Sequence, residues 1–361
     1  MKAGIIGFSS VGKTTLFKIL TKAHIDTLKF AGGRQEEHIG VATVPDKRLE
    51  QLAELFQPKK TTFATVEYVD VAGLVKGESK EASHLGNVKN VDALVHVVRA
   101  FEDDAIPHPE GSLNPQRDIA NLDLELLLSD LAIAEKRIER LEKDVRKMKN
   151  PLLEKELELL RRCKASLEQE QPLRGLELDE ESRKILRGFM FLSEKPLLHV
   201  LNLADADAAK VDQVVASYRL ESVAAQPHVG VTAVCGKIEA ELVELSGEDA
   251  AVFLADYGLR ESGLDRLIRA TYDLLGLISF LTVGEDECRA WTIKKGTPAV
   301  KAAGAIHSDI ERGFIRAEVV RWDQLLEVKS LAVARDKALL RLEGKNYVVQ
   351  DGDVINFRHS G

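Results

Sequence analysis

Apolar positions fall into three regimes along this chain of 361 residues. The first is a series of short, nearly unbroken apolar runs: Gly4-Ile5-Ile6, Asp92 to Arg99, Pro196 to Asn202 and Val231 to Val234, with Thr65 to Asp70 a further strand. Runs of this kind predict strands buried on both faces, as in a parallel sheet. The second regime lies between about Asn114 and Leu186. There Leu127, Leu131, Ala134, Ile138, Leu141, Val145 and Met148 alternate steps of four and three, with Glu, Lys and Arg elsewhere. That seam predicts a long helix, broken at Lys149-Asn150-Pro151 and followed by a second helix carrying Leu153, Leu157, Leu160 and Leu167. The pair reads as an antiparallel helical hairpin. Its charges form a solvated face, although a projecting arm also suits contact with a large partner. The third regime starts near Phe280 and is short-stranded: Cys288 to Ile293, Gly313 to Val320 and Tyr347 to Phe357 read as a small β-rich domain. His307 and Asp309 lack a third ligand at metal spacing and read as turn or helix-start residues.

Composition narrows the class. The chain is long enough for two or three domains, each with its own core. A net charge of −8 argues against coating nucleic acid with the whole surface, so any RNA contact is local. Cys163, Cys235 and Cys288 lie far apart and point to a reducing compartment. The N-terminus enters a strand at once, and no apolar run approaches about 18 residues. The expectation is a cytoplasmic protein without a membrane span.

The candidate chemistry starts at Gly7-Phe8-Ser9-Ser10-Val11-Gly12-Lys13-Thr14, which follows the first strand and runs into Thr15-Leu16-Phe17. This is G-x-x-x-x-G-K-[ST] between a strand and a helix. Its glycines let successive N–H groups turn toward phosphate oxygens, at a helix start that adds partial positive charge. Lys13 would reach the β- and γ-phosphates, and the Thr14 hydroxyl would bind Mg²⁺. Ser9, Ser10, Val11, Gly12 and Thr15 complete the cradle. The competing view, a glycine-rich turn that binds nothing, does not account for the strand before it and the helix after it. A second element, Asp70-Val71-Ala72-Gly73, ends the next strand as D-x-x-G: Asp70 would hold Mg²⁺ through water, and Gly73 would bring its N–H to the γ-phosphate. Asn202-Leu203-Ala204-Asp205 ends a later strand like a base-reading N-K-x-D loop with Leu203 in place of lysine; the alternative is an Asp that caps the next helix. Cys235-Gly236-Lys237 follows the last strand, where these three residues could offer backbone N–H to the base.

This ordered set, with Asp70 to Gly77 as D-x-A-G-L-V-K-G, Arg289-Ala290-Trp291-Thr292, Ala303 to Asp309 and Gly313-Phe314-Ile315-Arg316-Ala317, resembles the YchF family, Obg-related P-loop ATPases and GTPases that bind ribosomes. The resemblance covers essentially the whole chain. It implies an α/β fold: a P-loop NTPase (GTPase-like) parallel sheet, a helical coiled-coil insertion and a small β-grasp-like TGS domain. The boundaries expected are 1–113 and 187–278 for the nucleotide-binding domain, 114–186 for the insertion and 279–361 for the TGS domain. It also implies a hydrolase of ATP or GTP with Mg²⁺ and a ribosomal partner; slow turnover is expected from altered switch regions, and a monomer is expected. Leu74 stands where many GTPases place a water-orienting Gln, and the resemblance transfers that task to His108, after Phe101-Glu102-Asp103-Asp104. Lys13 and His108 are therefore the catalytic candidates.

The chain departs from the family pattern at four places. Asp205 replaces the usual Glu, which leaves base preference open between ATP and GTP. Ser9-Ser10 stand where Pro-Asn is usual, which removes the residue that K⁺ stimulation needs. Arg34 aligns with the threonine of the switch loop, and the segment after Lys80 is short. These alterations motivate an alternative function, a nucleotide-binding module that docks on the ribosome or RNA with little hydrolysis. A small-molecule kinase is disfavoured by the switch-type motifs.

Overall fold

The structure is a computed structural model describing residues 1–22, 38–70, 87–103 and 105–360. The expectations for Arg34, Gly73, Leu74 and Asp104 lie outside the described residues. The strands are β1 (Lys2–Ile6), β2 (His38–Thr43), β3 (Lys60–Thr62), β4 (Thr65–Asp70), β5 (Ala93–Ala100), β6 (Leu197–Leu203), β7 (Val229–Val234), β8 (Leu277–Thr282), β9 (Glu287–Lys294), β10 (Phe314–Arg321), β11 (Arg341–Glu343) and β12 (Asp353–His359). They form two six-stranded sheets, ordered β2-β4-β1-β5-β6-β7 and β11-β10-β12-β8-β9-β3.

In the first sheet β4, β1, β5, β6 and β7 pair in parallel. Every residue of β5 and of β6 is buried, as expected for central strands covered on both faces. Helix α1 (Lys13–Lys22) follows β1 and turns Leu16, Phe17, Ile19 and Leu20 into the core. Because β1 leads to β4 on one side and β5 on the other, its C-terminal end is the switch point where such sheets leave a crevice.

The insertion forms as its periodicity predicts. Helix α3 (Pro115–Lys147) is capped by Asn114, whose side chain accepts from the Arg117 N–H, and helix α4 (Pro151–Glu168) by Asn150, which accepts from Leu152. Each cap is followed by a proline that needs no N–H partner. Leu127, Ala134, Ile138 and Leu141 pack against Leu157, Leu160, Cys163 and Leu167. Met148 departs from the expected seam and is 58% exposed. It is the C-cap of α3, with extended φ/ψ of −142° and 121°, so the chain has left the helix before the seam position is reached. Asp130 fixes the base of α3 by accepting from the Leu192 and Ser193 N–H groups at 2.9 and 2.7 Å.

Two compact units emerge, residues 1–41 with 67–274, and residues 42–66 with 275–361. The second differs from the expected boundaries, because 42–66 belongs with the C-terminal sheet. Helix α2 (Lys47–Phe56), which buries Leu49 and Leu52, packs against β9, and β3 pairs with β9 in parallel through Lys60, Thr61 and Thr62. Three polar residues carry no apolar signature, so this pairing leaves no trace in the pattern. Within that unit β8 and β9 form an antiparallel pair, the helix Ala299–Ile306 crosses, and β12 returns parallel to β8. That is the β-grasp-like arrangement expected. His307 caps the short helix Ser308–Arg312 by accepting from the Asp309 N–H, as a helix-start residue should.

Candidate nucleotide site

The loop after β1 bends through three residues with positive φ: Gly7 at 147°, Ser10 at 62° and Gly12 at 97°. Two of these bends need glycine for room as well as for angle. A Cβ on Gly7 would stand 2.5 Å from the Val97 carbonyl oxygen, and one on Gly12 would stand 2.5 Å from Asn202 Nδ2. The loop thus lies pressed onto β5 and the end of β6. Helix α1 begins directly after it, with the Leu16 N–H bonding the Gly12 carbonyl, so the first N–H groups of the helix have no partner further back in the helix.

Lys13 is buried, 8% exposed, and its ammonium donates to the carbonyls of Gly7 (2.8 Å) and Phe8. Burial lowers its pKa to about 8, against the opposing pull of the Asp70 carboxylate. Asp70, the last residue of β4, is pushed up by its own burial, with Lys13 and His38 drawing it back. Lysine and carboxylate are close enough to feel one another at the phosphate end of the crevice.

A cavity of about 720 Å³ opens from the loop. Of the expected nucleotide residues, Ser10, Gly12, Lys13, Thr14, Thr15, Asn202, Leu203, Asp205 and Gly236 line it. Asn202 ties three segments together: its Nδ2 donates to the Val11 carbonyl at 3.1 Å, and its Oδ1 accepts from the Gly236 N–H at 3.0 Å. Its side-chain amide thereby serves the scaffold. Asp205 faces the cavity and accepts from Lys237 Nζ at 2.8 Å. Ser9, Val11, Asp70 and Cys235 are not among the lining residues. Val11 and Cys235 are buried in the core, Val11 giving its carbonyl to Asn202 and Cys235 standing as N-cap of the helix Gly236–Leu242.

His108 is also absent from the lining. Its Nδ1 accepts from the Glu110 N–H at 3.1 Å, which puts the ring proton on Nε2, 3.1 Å from Asp118 Oδ2 at the start of α3. The ring is largely buried, its side chain 10% exposed, and Nε2 lies beside Asp118 without completing a hydrogen bond. Motif spacing carries no information about that contact. The residues that sequence reasoning missed are Phe101, Glu102, Asp103, Ile106, Ala204 and Ala240, while Lys237, expected to offer its backbone N–H, also lines the cavity. The 101–106 loop is shaped by Arg99, a buried guanidinium that donates to the carbonyls of Phe101 (3.0 Å) and Ile106 (2.8 Å) and lies 4.8 Å over the Phe101 ring. A charged residue ending an otherwise apolar strand was the available signal.

One end of the cavity therefore offers a lysine and free helix N–H groups, and the other offers apolar walls with a carboxylate and an ammonium. Thr14 lines the cavity beside Lys13, and a hydroxyl there suits Mg²⁺, which takes one or two protein oxygens and fills its remaining positions with phosphate and water. A cage of several carboxylates is not needed.

Residues 277–360 match the family YchF-GTPase_C, described as "Protein of unknown function (DUF933)", and residues 2–153 match MMR_HSR1, described as "50S ribosome-binding GTPase". The chain is 45% identical to "Ribosome-binding ATPase YchF" of Bacillus subtilis, with 99% of each chain covered. It is 41% identical to the protein of the same name from Escherichia coli O157:H7, covering 99% of this chain and 98% of that one. The structure of the Schizosaccharomyces pombe YchF GTPase is similar at a TM-score of 0.86 and 29% identity, covering 99% of this chain and 97% of that one. With both the amino-acid sequence and the fold matched from end to end, the chain belongs to the YchF family.

Proposed function

We propose that this chain is a Mg²⁺-dependent P-loop hydrolase of ATP or GTP that acts on the ribosome. The observation that carries the reading is the single cavity running from Lys13 and Thr14 to Asp205 and Lys237, of a size to hold a nucleotide. The names of the relatives supply the ribosomal partner and the hydrolytic activity. On nucleotide binding, Lys13 exchanges the carbonyls of Gly7 and Phe8 for the β- and γ-phosphates, and the N–H groups opening α1 close on the phosphate oxygens. Thr14 and Asp70 are the residues that would hold Mg²⁺, and the ion would supply charge neutralisation on the transferring phosphoryl group. Water attacks in line. If His108 positions that water, its Nε2 must first move away from Asp118.

The second reading, a docking module with little hydrolysis, is favoured by the place of the histidine expected to orient water, which lies beside Asp118 and does not line the cavity. Phosphate release from the purified chain with Mg²⁺, from ATP and from GTP, with and without ribosomes, decides between them. Release that rises with ribosomes supports the hydrolase. Nucleotide binding without release under both conditions supports the docking module.

A further inference from the structure

The base end of the cavity contains a feature that the N-x-x-D pattern does not convey. Asp205 ends β6's loop and Lys237 opens the helix after β7, 32 positions apart, and both line the cavity. The ammonium donates to one carboxylate oxygen, Oδ2, at 2.8 Å. The Lys237 side chain is 73% exposed and that of Asp205 32%, so the pair is open to a ligand. Asn202 has one N–H tied to Val11 and its oxygen tied to Gly236, and Leu203 can only cover the base.

We infer that Lys237 is a specificity-determining residue for the base, acting by occupying one of the two oxygens of Asp205. The inference rests on the nucleotide reading of the cavity. A carboxylate with both oxygens free accepts two adjacent N–H groups, which is the N1–H and 2-amino edge of guanine. With Lys237 on Oδ2, the edge offered to the ligand is one acceptor, Oδ1, beside one donor, the ammonium. Adenine presents the complement: its 6-amino group donates to Asp205 and its N1 accepts from Lys237. Both of its edge atoms are then satisfied. Guanine laid on the same pair uses O6 and N1–H, but its 2-amino group meets no second oxygen, and an unpaired donor lowers affinity. The chain thus takes adenine at an aspartate that would otherwise favour guanine, and hypoxanthine, which lacks the 2-amino group, outranks guanine.

The test uses full-length protein with Mg²⁺ and the hydrolysis-resistant ligands ADP, IDP and GDP, measured by calorimetry on wild type and Lys237→Ala. The wild type is expected to bind both ADP and IDP more tightly than GDP. In Lys237→Ala both oxygens are free, ADP weakens, GDP rises above IDP, and the ADP-to-GDP affinity ratio falls by about tenfold. Because the Lys237 side chain is exposed, loss of folding is not an expected confounder. GDP outranking IDP in the wild type, or a ratio unchanged in Lys237→Ala, overturns the inference while leaving the nucleotide site intact. No binding of any of the three to the wild type overturns both.

Discussion

The two ends of the cavity are built on opposite principles. At the phosphate end a buried lysine, main-chain N–H groups and two glycines without room for a Cβ are locked to the sheet through Asn202. At the base end the polar groups are an exposed lysine and a half-buried aspartate joined by one hydrogen bond. Exposed pairs contribute little to stability because water screens them, so they exchange partners easily. Triphosphate geometry is common to all nucleotides and rewards rigidity. Base identity is a small difference among similar edges, and two mobile side chains can alter it without disturbing the fold.

The largest effect that would break this contrast is expected at Gly12. In Gly12→Ala the new Cβ meets Asn202 Nδ2 at 2.5 Å with φ fixed at 97°. Strain of this kind costs about 1–3 kcal/mol, and the variant should lose nucleotide binding together with several degrees of melting temperature. Next is Asn202→Ala, which leaves the Val11 carbonyl and the Gly236 N–H without their partner. An expected cost of about 1–3 kcal/mol should appear in urea unfolding, with affinity for ATP and GTP falling alike because the tie serves the scaffold. A loss confined to one base would contradict that assignment.

A pH series sharpens the same comparison. Burial disfavours the Lys13 charge and lowers its pKa to about 8. Phosphate favours the charged form, so binding takes up a proton above that value. Affinity should be flat below pH 8 and weaken above it, at most about tenfold per unit; a flat profile to pH 9.5 would remove Lys13 from phosphate contact.

A second pH effect is expected in the sheet beneath the loop. There His96 and His199 are fully buried with their Nδ1 atoms 3.0 Å apart, and each Nε2 lacks a partner. Burial lowers both pKa values, that of His199 to about 3. As pH falls from 6.5, the unfolded chain takes up these protons first. Stability from the pair is complete above pH 6.5 and is lost towards pH 3, by up to about 1.4 kcal/mol per pH unit for each histidine. Melting curves of the wild type should fall more steeply between pH 6.5 and 4.5 than those of a His96→Leu, His199→Leu variant.

What the amino-acid sequence disclosed follows the range of the interactions. The loop from Gly7 to Thr14 was legible because its constraint is local: those backbone angles need glycine where they occur. The α3–α4 hairpin was legible because its seam repeats and Asn-Pro marks both starts. The pairing of β3 with β9 was not, since three polar residues give no apolar pattern and their partner strand lies far along the chain, with Lys60 in register with Glu287 some 227 positions away. The same holds at the site. Motif order placed Asn202 and Asp205 at the cavity but could not reveal that one is tied to Val11 and Gly236 and the other paired with Lys237. His108 was selected by its position after Phe101 to Asp104, while the structure gives it to Asp118, a contact made only when α3 packs at the end of that loop.

The central claim is that the buried lysine of the phosphate end drives hydrolysis in this cavity. Single-turnover phosphate release with saturating Mg²⁺ and nucleotide, compared between the wild type and Lys13→Ala, tests it most directly. The account predicts measurable release from the wild type and a loss of at least about a hundredfold in the variant. Release at the wild-type rate from Lys13→Ala would contradict it.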